Sequence, residues 1–345
     1  MRRRRSFYIL SGFVLFAAAV ALLVVLRKHA PPEPARLLPG ADGYLYANLK
    51  WIRRADIAGQ LPEVPHEPEY EQFIQATGFQ FERDLDQAAF AIHYPAVKAG
   101  GKAATPEPAR FSEIFVGRID GQRLRAYLGK ISASVDDYNS VDIYNIPLDG
   151  RTLRVAVLGF DTVAASNHDD PRVIRGIVDR SRKLASPFAG PALLRHYYKY
   201  VPIASLGWAI FKVDPVDSMP SRSALSFLFA KPATVVASAR YLGKVHFRAE
   251  AFTGSKDDAQ RLTEQLGTFL QLFHTAEGTV STPGNDPDVK AFFDGLKVQQ
   301  HDDRTVLTAA IPPGFIRKAV AAPPAEALPA PAPAATSPAG KPPGK

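Results

Sequence analysis

Eight histidines are spread through this 345-residue chain, and their spacing limits the chemistry open to them. They are His29, His66, His93, His168, His196, His246, His274 and His301, and none forms a His-x-x-x-His helical pair or a His-Glu-x-x-His motif. Asn167-His168-Asp169-Asp170 gathers oxygen and nitrogen ligand types in one stretch. No second ligand cluster accompanies it, so it reads as a polar loop ending in a helix N-cap. His301-Asp302-Asp303 reads as a turn on the same grounds. The chain has no Cys, which removes thiol nucleophiles, disulfides and thiolate zinc sites. No Gly-x-Ser-x-Gly elbow, Gly-x-Gly-x-x-Gly turn or phosphate-binding Walker loop is present. Carboxylates are plentiful, but the separation of any pair is a property of the fold. Asp136-Asp137 and Asp257-Asp258 fall where a loop and a helix cap are expected. We therefore assign no catalytic, cofactor-binding or metal-ligating residue, and expect no cofactor.

His196-Tyr197-Tyr198-Lys199-Tyr200 is the most unusual local composition. Aromatics beside a cation can stack on a sugar or a partner. The plainer reading is a helix end with Tyr197 and Tyr200 inward, three apart, and Tyr198 and Lys199 toward water. His168, Asp169 and Tyr198 are the residues retained as a ligand or partner patch.

These residues need elements to hold them. Strands are expected over 44–49, 88–94 and 111–119, with a helix over 69–77 closed by Gly78. Leu124, Tyr127, Leu128 and Ile131 have the spacing of one buried helical face over 121–131. Residues 141–147 and 153–158 flank Asp149-Gly150, a hairpin-turn signal, and 162–166 reads as a further strand. Asp170-Pro171 opens a helix, as N-cap and first helical residue. After Ser186-Pro187 come a helix over 192–200 and strands over 206–213, 233–241 and 245–252. Ser255 caps a long helix with Asp258 three residues on, Asp286-Pro287 opens a shorter one, and a hairpin turns at Asp302-Asp303. Strand-to-helix order recurs at 112–124 and 245–262, and Asp149-Gly150-Arg151-Thr152 has a counterpart in Asp302-Asp303-Arg304-Thr305. The expected fold is α+β: a duplicated ectodomain of mainly antiparallel sheets with helices on one face, in units 41–186 and 187–320.

The stretch 7–26 carries no charge, and its apolar residues include Phe7, Leu10, Phe13, Leu15, Phe16, Val20, Leu23, Val25 and Leu26. As a helix it is roughly 30 Å long, one hydrocarbon thickness. Arg2, Arg3, Arg4 and Arg5 precede it, in the cytoplasmic tail 1–6, and place the N-terminus in the cytoplasm. Ala17-Ala18-Ala19 lies in mid-span, so an uncleaved anchor is expected rather than a cleaved signal peptide. Residues 27–40 read as a proline-stiffened linker, and 321–345 as a disordered Ala/Pro-rich tail. The net charge is +8, but six positive charges lie in residues 1–28 and a net one in the tail. That leaves one for the rest, and a nearly neutral ectodomain is expected to be no phosphate-binding surface, for nucleic acid or otherwise.

Gly40-Ala41-Asp42-Gly43-Tyr44-Leu45-Tyr46, Phe115-Val116-Gly117-Arg118-Ile119-Asp120 and Ser255-Lys256-Asp257-Asp258-Ala259 together resemble a group of uncharacterised bacterial envelope proteins. The resemblance implies one N-terminal span and a duplicated α+β ectodomain, and brings no catalytic residues. The expected protein is single-pass in the inner membrane, with its ectodomain periplasmic or extracellular. Its partners are the bilayer and an envelope protein or the cell wall. Non-catalytic binding or scaffolding is the expected role; the alternative is an envelope hydrolase using scattered Asp, Ser and His.

Overall fold

A computed structural model describes residues 30–54, 66–95, 108–148, 150–182, 190–214, 228–280 and 287–315. The stretch 7–26, Arg2–Arg5 and the tail 321–345 lie outside the described residues. Among the described residues no helix is long and apolar enough to cross a membrane.

Among the described residues twelve strands form one antiparallel sheet: β1 (Gly43–Asn48), β2 (Leu85–His93), β3 (Arg110–Gly117), β4 (Ser134–Tyr138), β5 (Val141–Leu148), β6 (Arg151–Val157), β7 (Thr162–Ser166), β8 (Gly207–Val213), β9 (Ala233–Tyr241), β10 (Val245–Phe252), β11 (Lys297–His301) and β12 (Arg304–Ile311). Their spatial order is β11-β12-β10-β9-β8-β1-β2-β3-β7-β6-β5-β4. Both halves of the chain thus share one sheet, joined where β1 pairs with β8 in the register Tyr44↔Ile210 and Tyr46↔Trp208.

The helices are α1 (Glu33–Leu37), α2 (Leu49–Arg54), α3 (Pro68–Thr77), α4 (Phe81–Asp84), α5 (Gly121–Ile131), α6 (Arg172–Arg182), α7 (Ala192–Tyr197), α8 (Lys256–Val280) and α9 (Pro287–Asp294). They cover both faces of the sheet, not one. Successive strand residues point to opposite faces, so β7 shows this directly. Ala164 packs in a cluster with Ile174, Ile177 and Val178 of α6, while Val163 and Ala165 pack with Leu124 and Leu128 of α5. On the α5 face, further along the sheet, Val235 and Ala251 pack under Leu262 of α8. A strand apolar at both parities needs cover on both sides, each buried Ile or Leu contributing about 1.5–3 kcal/mol.

Local signals set the ends of these elements. Asp120 accepts from the backbone N–H groups of Gln122 (3.0 Å) and Arg123 (3.1 Å), capping α5. Gly78, at φ 73°, closes α3. Ser255 Oγ accepts from Asp258 N at 3.2 Å, the cap expected for α8, while the Asp258 carboxylate accepts from the Ser255 hydroxyl at 2.7 Å rather than from its backbone N–H.

Two further readings of the sequence need correction. Part of the linker 27–40 is α1, with Ala35, Leu37 and Leu38 buried in the central cluster. The prolines suggested stiffness, but Pro at the first helical turn is compatible with a helix, and the Leu37-Leu38 pair gains from burial. Asp136-Asp137 sits not in a loop but in β4, at the sheet edge. Exposed carboxylates there discourage pairing with another chain.

Candidate functional site

The Asn167–Asp170 stretch leaves β7 at one end of the sheet, where β2 ends and β3 begins. Register brings Ala91 opposite Ser112, and Ser112 opposite Ser166. His93, two residues beyond Ala91, therefore projects from the same face as both serines. His93 Nε2 lies 3.1 Å from Ser112 Oγ, and Ser112 Oγ lies 3.0 Å from Ser166 Oγ. Ser166 Oγ donates to the Phe111 carbonyl at 3.3 Å and accepts from His168 N at 3.3 Å. The His168 ring meets the His93 ring edge-on, with centroids 5.1 Å apart. His93, Ser112 and Ser166 are all buried, Ser112 completely.

A proton inventory shows what this row can do. Each hydroxyl has one proton. The row can run in either direction, since the Phe111 carbonyl also accepts from Asn167 N at 3.1 Å: from His93 Nε2–H through Ser112 and Ser166 to that carbonyl, or from Ser166 through Ser112 to an unprotonated His93 Nε2. In the first direction His93 is a donor, the reverse of the base that a serine nucleophile needs. Burial, then the neighbouring His168, push the His93 pKa down to about 4, against a smaller opposing pull from Asp42. The imidazole is neutral at pH 7.

The rest of the loop is tied to strands in the same way. Asn167 Oδ1 accepts from Phe111 N at 2.6 Å. Arg154 Nη1 donates to the His168 carbonyl at 2.8 Å, and His168 Nδ1 accepts from Asp170 N at 3.1 Å. Asp169 takes two bonds from Arg110, at 2.7 and 3.1 Å. Asp170 accepts from Arg172 N at 2.9 Å, and the Arg172 guanidinium holds its carboxyl below the usual carboxylate range. Among the described residues no group of three or more His, Asp or Glu side chains is placed to share a metal ion.

Tyr198 belongs elsewhere. After α7 the chain tightens into a single 3-10 turn, Tyr198–Tyr200, and this turns Tyr198 inward rather than toward water. Its ring meets Trp208 edge-on at 5.4 Å, and Trp208 stacks on Tyr46 at 5.5 Å. Burial raises the Tyr198 hydroxyl pKa to about 12. Tyr197 and Tyr200 pack inward as expected, both against Phe252. The retained patch is therefore split: His168 and Asp169 close the sheet end, and Tyr198 packs half-buried against the central cluster.

Among the described residues, His246 and His301 do not join His168. His246 lies opposite Arg240 and Ala310 in β10, and His301 ends β11 at the hairpin with β12. The side chain of His274 is outside the described residues. The sequence reading missed His93, Ser112 and Ser166. Their signal was present in part: each shares the parity of buried apolar residues in its strand, Ala89 and Ala91 for His93, Ile114 for Ser112 and Ala164 for Ser166.

No family model and no curated protein matches the chain. Among solved structures it is similar to crystal form IV of TP0453, at 10% identity and a TM-score of 0.42, covering 85% of this chain and 98% of that one. Crystal form III of TP0453 is similar at 10% identity and a TM-score of 0.44, covering 84% and 97%.

Proposed function

We propose that this chain is a membrane-anchored, extracytoplasmic binding module of the bacterial envelope, related to the uncharacterised envelope proteins its sequence resembles. Residues 7–26 anchor it, Arg2–Arg5 hold its N-terminus in the cytoplasm, and the sheet domain stands in the periplasm or outside the cell. The observation that carries the non-catalytic reading is the closure of the His93–Ser112–Ser166 row. The serine and histidine groups of this row are buried and bonded to one another and to the sheet, which closes them to a substrate. They act instead as a hydrogen-bonded clasp across three strand ends.

A duplicated unit is supported by strand order. Outward from the β1–β8 junction, β1, β2 and β3 lead to α5, while β8, β9 and β10 lead to α8. Both helices pack on the same face, on clusters containing Val163 and Val235.

Two measurements on the full-length protein test the proposal. Protease added to spheroplasts should degrade the sheet domain, and membrane fractions should hold the intact chain. A soluble, N-terminally shortened product would replace the anchor with a signal peptide. A fluorophosphonate probe should leave Ser112 unlabelled in the native protein; stoichiometric labelling, abolished by His93→Gln, would establish the hydrolase instead.

A further inference from the structure

At the opposite end of β1 and β2 from the His93 clasp, Lys50, Arg53, Arg54, Arg83 and Arg118 surround one open concavity of about 430 Å³. Local sequence brings them there from four separate elements. Lys50, Arg53 and Arg54 ride on α2, which follows β1; Arg83 is on α4, Arg118 follows β3, and Asp86 lies in β2 on the same wall.

Two carboxylates organise the five cations. Asp84, almost fully buried, pairs with Arg83 at 2.6 Å and with Arg118 at 3.0 Å. The Arg83 guanidinium holds the Asp84 carboxyl below its usual range. Asp86 pairs with Arg53 at 2.7 Å and, more distantly, with Lys50 at 3.8 Å. Backbone carbonyls fix three of the guanidinium groups further. Arg53 donates to the Leu85 carbonyl at 2.5 Å, Arg83 to Gly78 at 2.9 Å, and Arg118 to Arg83 at 2.7 Å. Arg54 has no ion-pair partner among the described residues. The nearby Glu82 carboxylate is turned toward Tyr70 and His66.

The site therefore carries an excess of three positive charges, from five cations against two carboxylates. This is not a share of general basicity, because the chain between residue 28 and the tail is nearly neutral. Guanidinium groups already held in place lose little entropy on meeting a ligand, and their planar forks match phosphate oxygens. The side chains of Arg83 and Arg118 are 58% and 66% exposed, so their remaining donors are open to solvent.

We infer that this concavity binds a phosphate-bearing anion. The inference rests on the binding-module reading and assigns it a ligand chemistry. Free phosphate esters and lipid phosphate headgroups present the same group, so the test separates them. Full-length protein in phosphatidylcholine nanodiscs is titrated with inorganic pyrophosphate by calorimetry. The same immobilised nanodiscs are then offered fluorescent phosphatidylglycerol vesicles.

The test variant is Lys50→Gln with Arg54→Gln. It removes the weakly paired and unpaired cations and spares the Asp84 and Arg53 pairs. Lys130→Gln, on the exposed side of α5, is the charge control. A loss of tenfold or more in pyrophosphate affinity, confined to the double variant, supports the inference with a soluble source. Vesicle capture lost only in the double variant supports it with a lipid source. No saturable binding in either arm, or equal losses in the control, overturns it. Spheroplast fractionation is indifferent to these outcomes, so failure here is distinguishable from failure of the anchored-module reading.

Discussion

Replacing His93 by Gln should remove a defined part of the acid sensitivity of this fold. His93 is buried, its Nε2 is committed to Ser112, and its pKa falls from 6.5 to about 4 in the folded chain. Above pH 6.5 the ring is neutral in both the folded and unfolded states, and below pH 4 it is protonated in both. Between these values the unfolded chain takes up a proton that the folded chain refuses. Stability present above pH 6.5 is thus lost as the pH falls through 4. A depression of this size corresponds to about 3 kcal/mol. The groups facing His93 are Ser112, the His168 ring and, through its field, Asp42. Gln keeps a nitrogen donor for Ser112 and loses the titration. Urea unfolding of the full-length chain in detergent at pH 7 and pH 4, followed through the buried Trp208, measures the effect. The wild type should lose about 3 kcal/mol more than the variant across that interval. Parallel losses, or a His93 ring resonance titrating near pH 6.5, would refute the reasoning.

Two backbone positions and a cap give further checks. A methyl group at Gly117 would press into the carbonyl oxygen of Asp84, so Gly117→Ala should cost about 1–3 kcal/mol. Gly129 in α5 has nothing near its missing Cβ, and Gly129→Ala should stabilise by about 0.5–1 kcal/mol. The two midpoints in urea should move in opposite directions. Asp120→Ala deletes both cap bonds to α5 and should cost about 0.5–2 kcal/mol. The same unfolding experiment reads it, and Asp120→Ser should recover most of the loss.

Much of the fold was legible along the chain, for a local reason. Asp120, Gly78 and Ser255 end or start helices through bonds to residues within a few positions, so type and spacing suffice. The hairpin at Asp302-Asp303 is legible in the same way. Leu124 and Leu128 mark the buried face of α5 by periodicity alone. Alternation could have shown that Ser112 and Ser166 point inward with Ile114 and Ala164. What alternation could not supply is partnership. His93 and Ser112 are 19 residues apart, and Ser112 and Ser166 are 54 apart. Register between strands depends on the whole sheet, because a one-residue slip would turn each of these side chains to the other face. The same holds for the cations around Asp84 and Asp86: Lys50, Arg83 and Arg118 lie in different elements, and only the pairing of β1, β2 and β3 brings those elements to one end. Tyr198 was misplaced because a switch from α-helix to a 3-10 turn changes the direction of one side chain without changing the residues. Residue types determined which elements form and where they stop; long-range strand pairing decided which polar groups meet, since that pairing is a cooperative property of twelve strands rather than of any one of them.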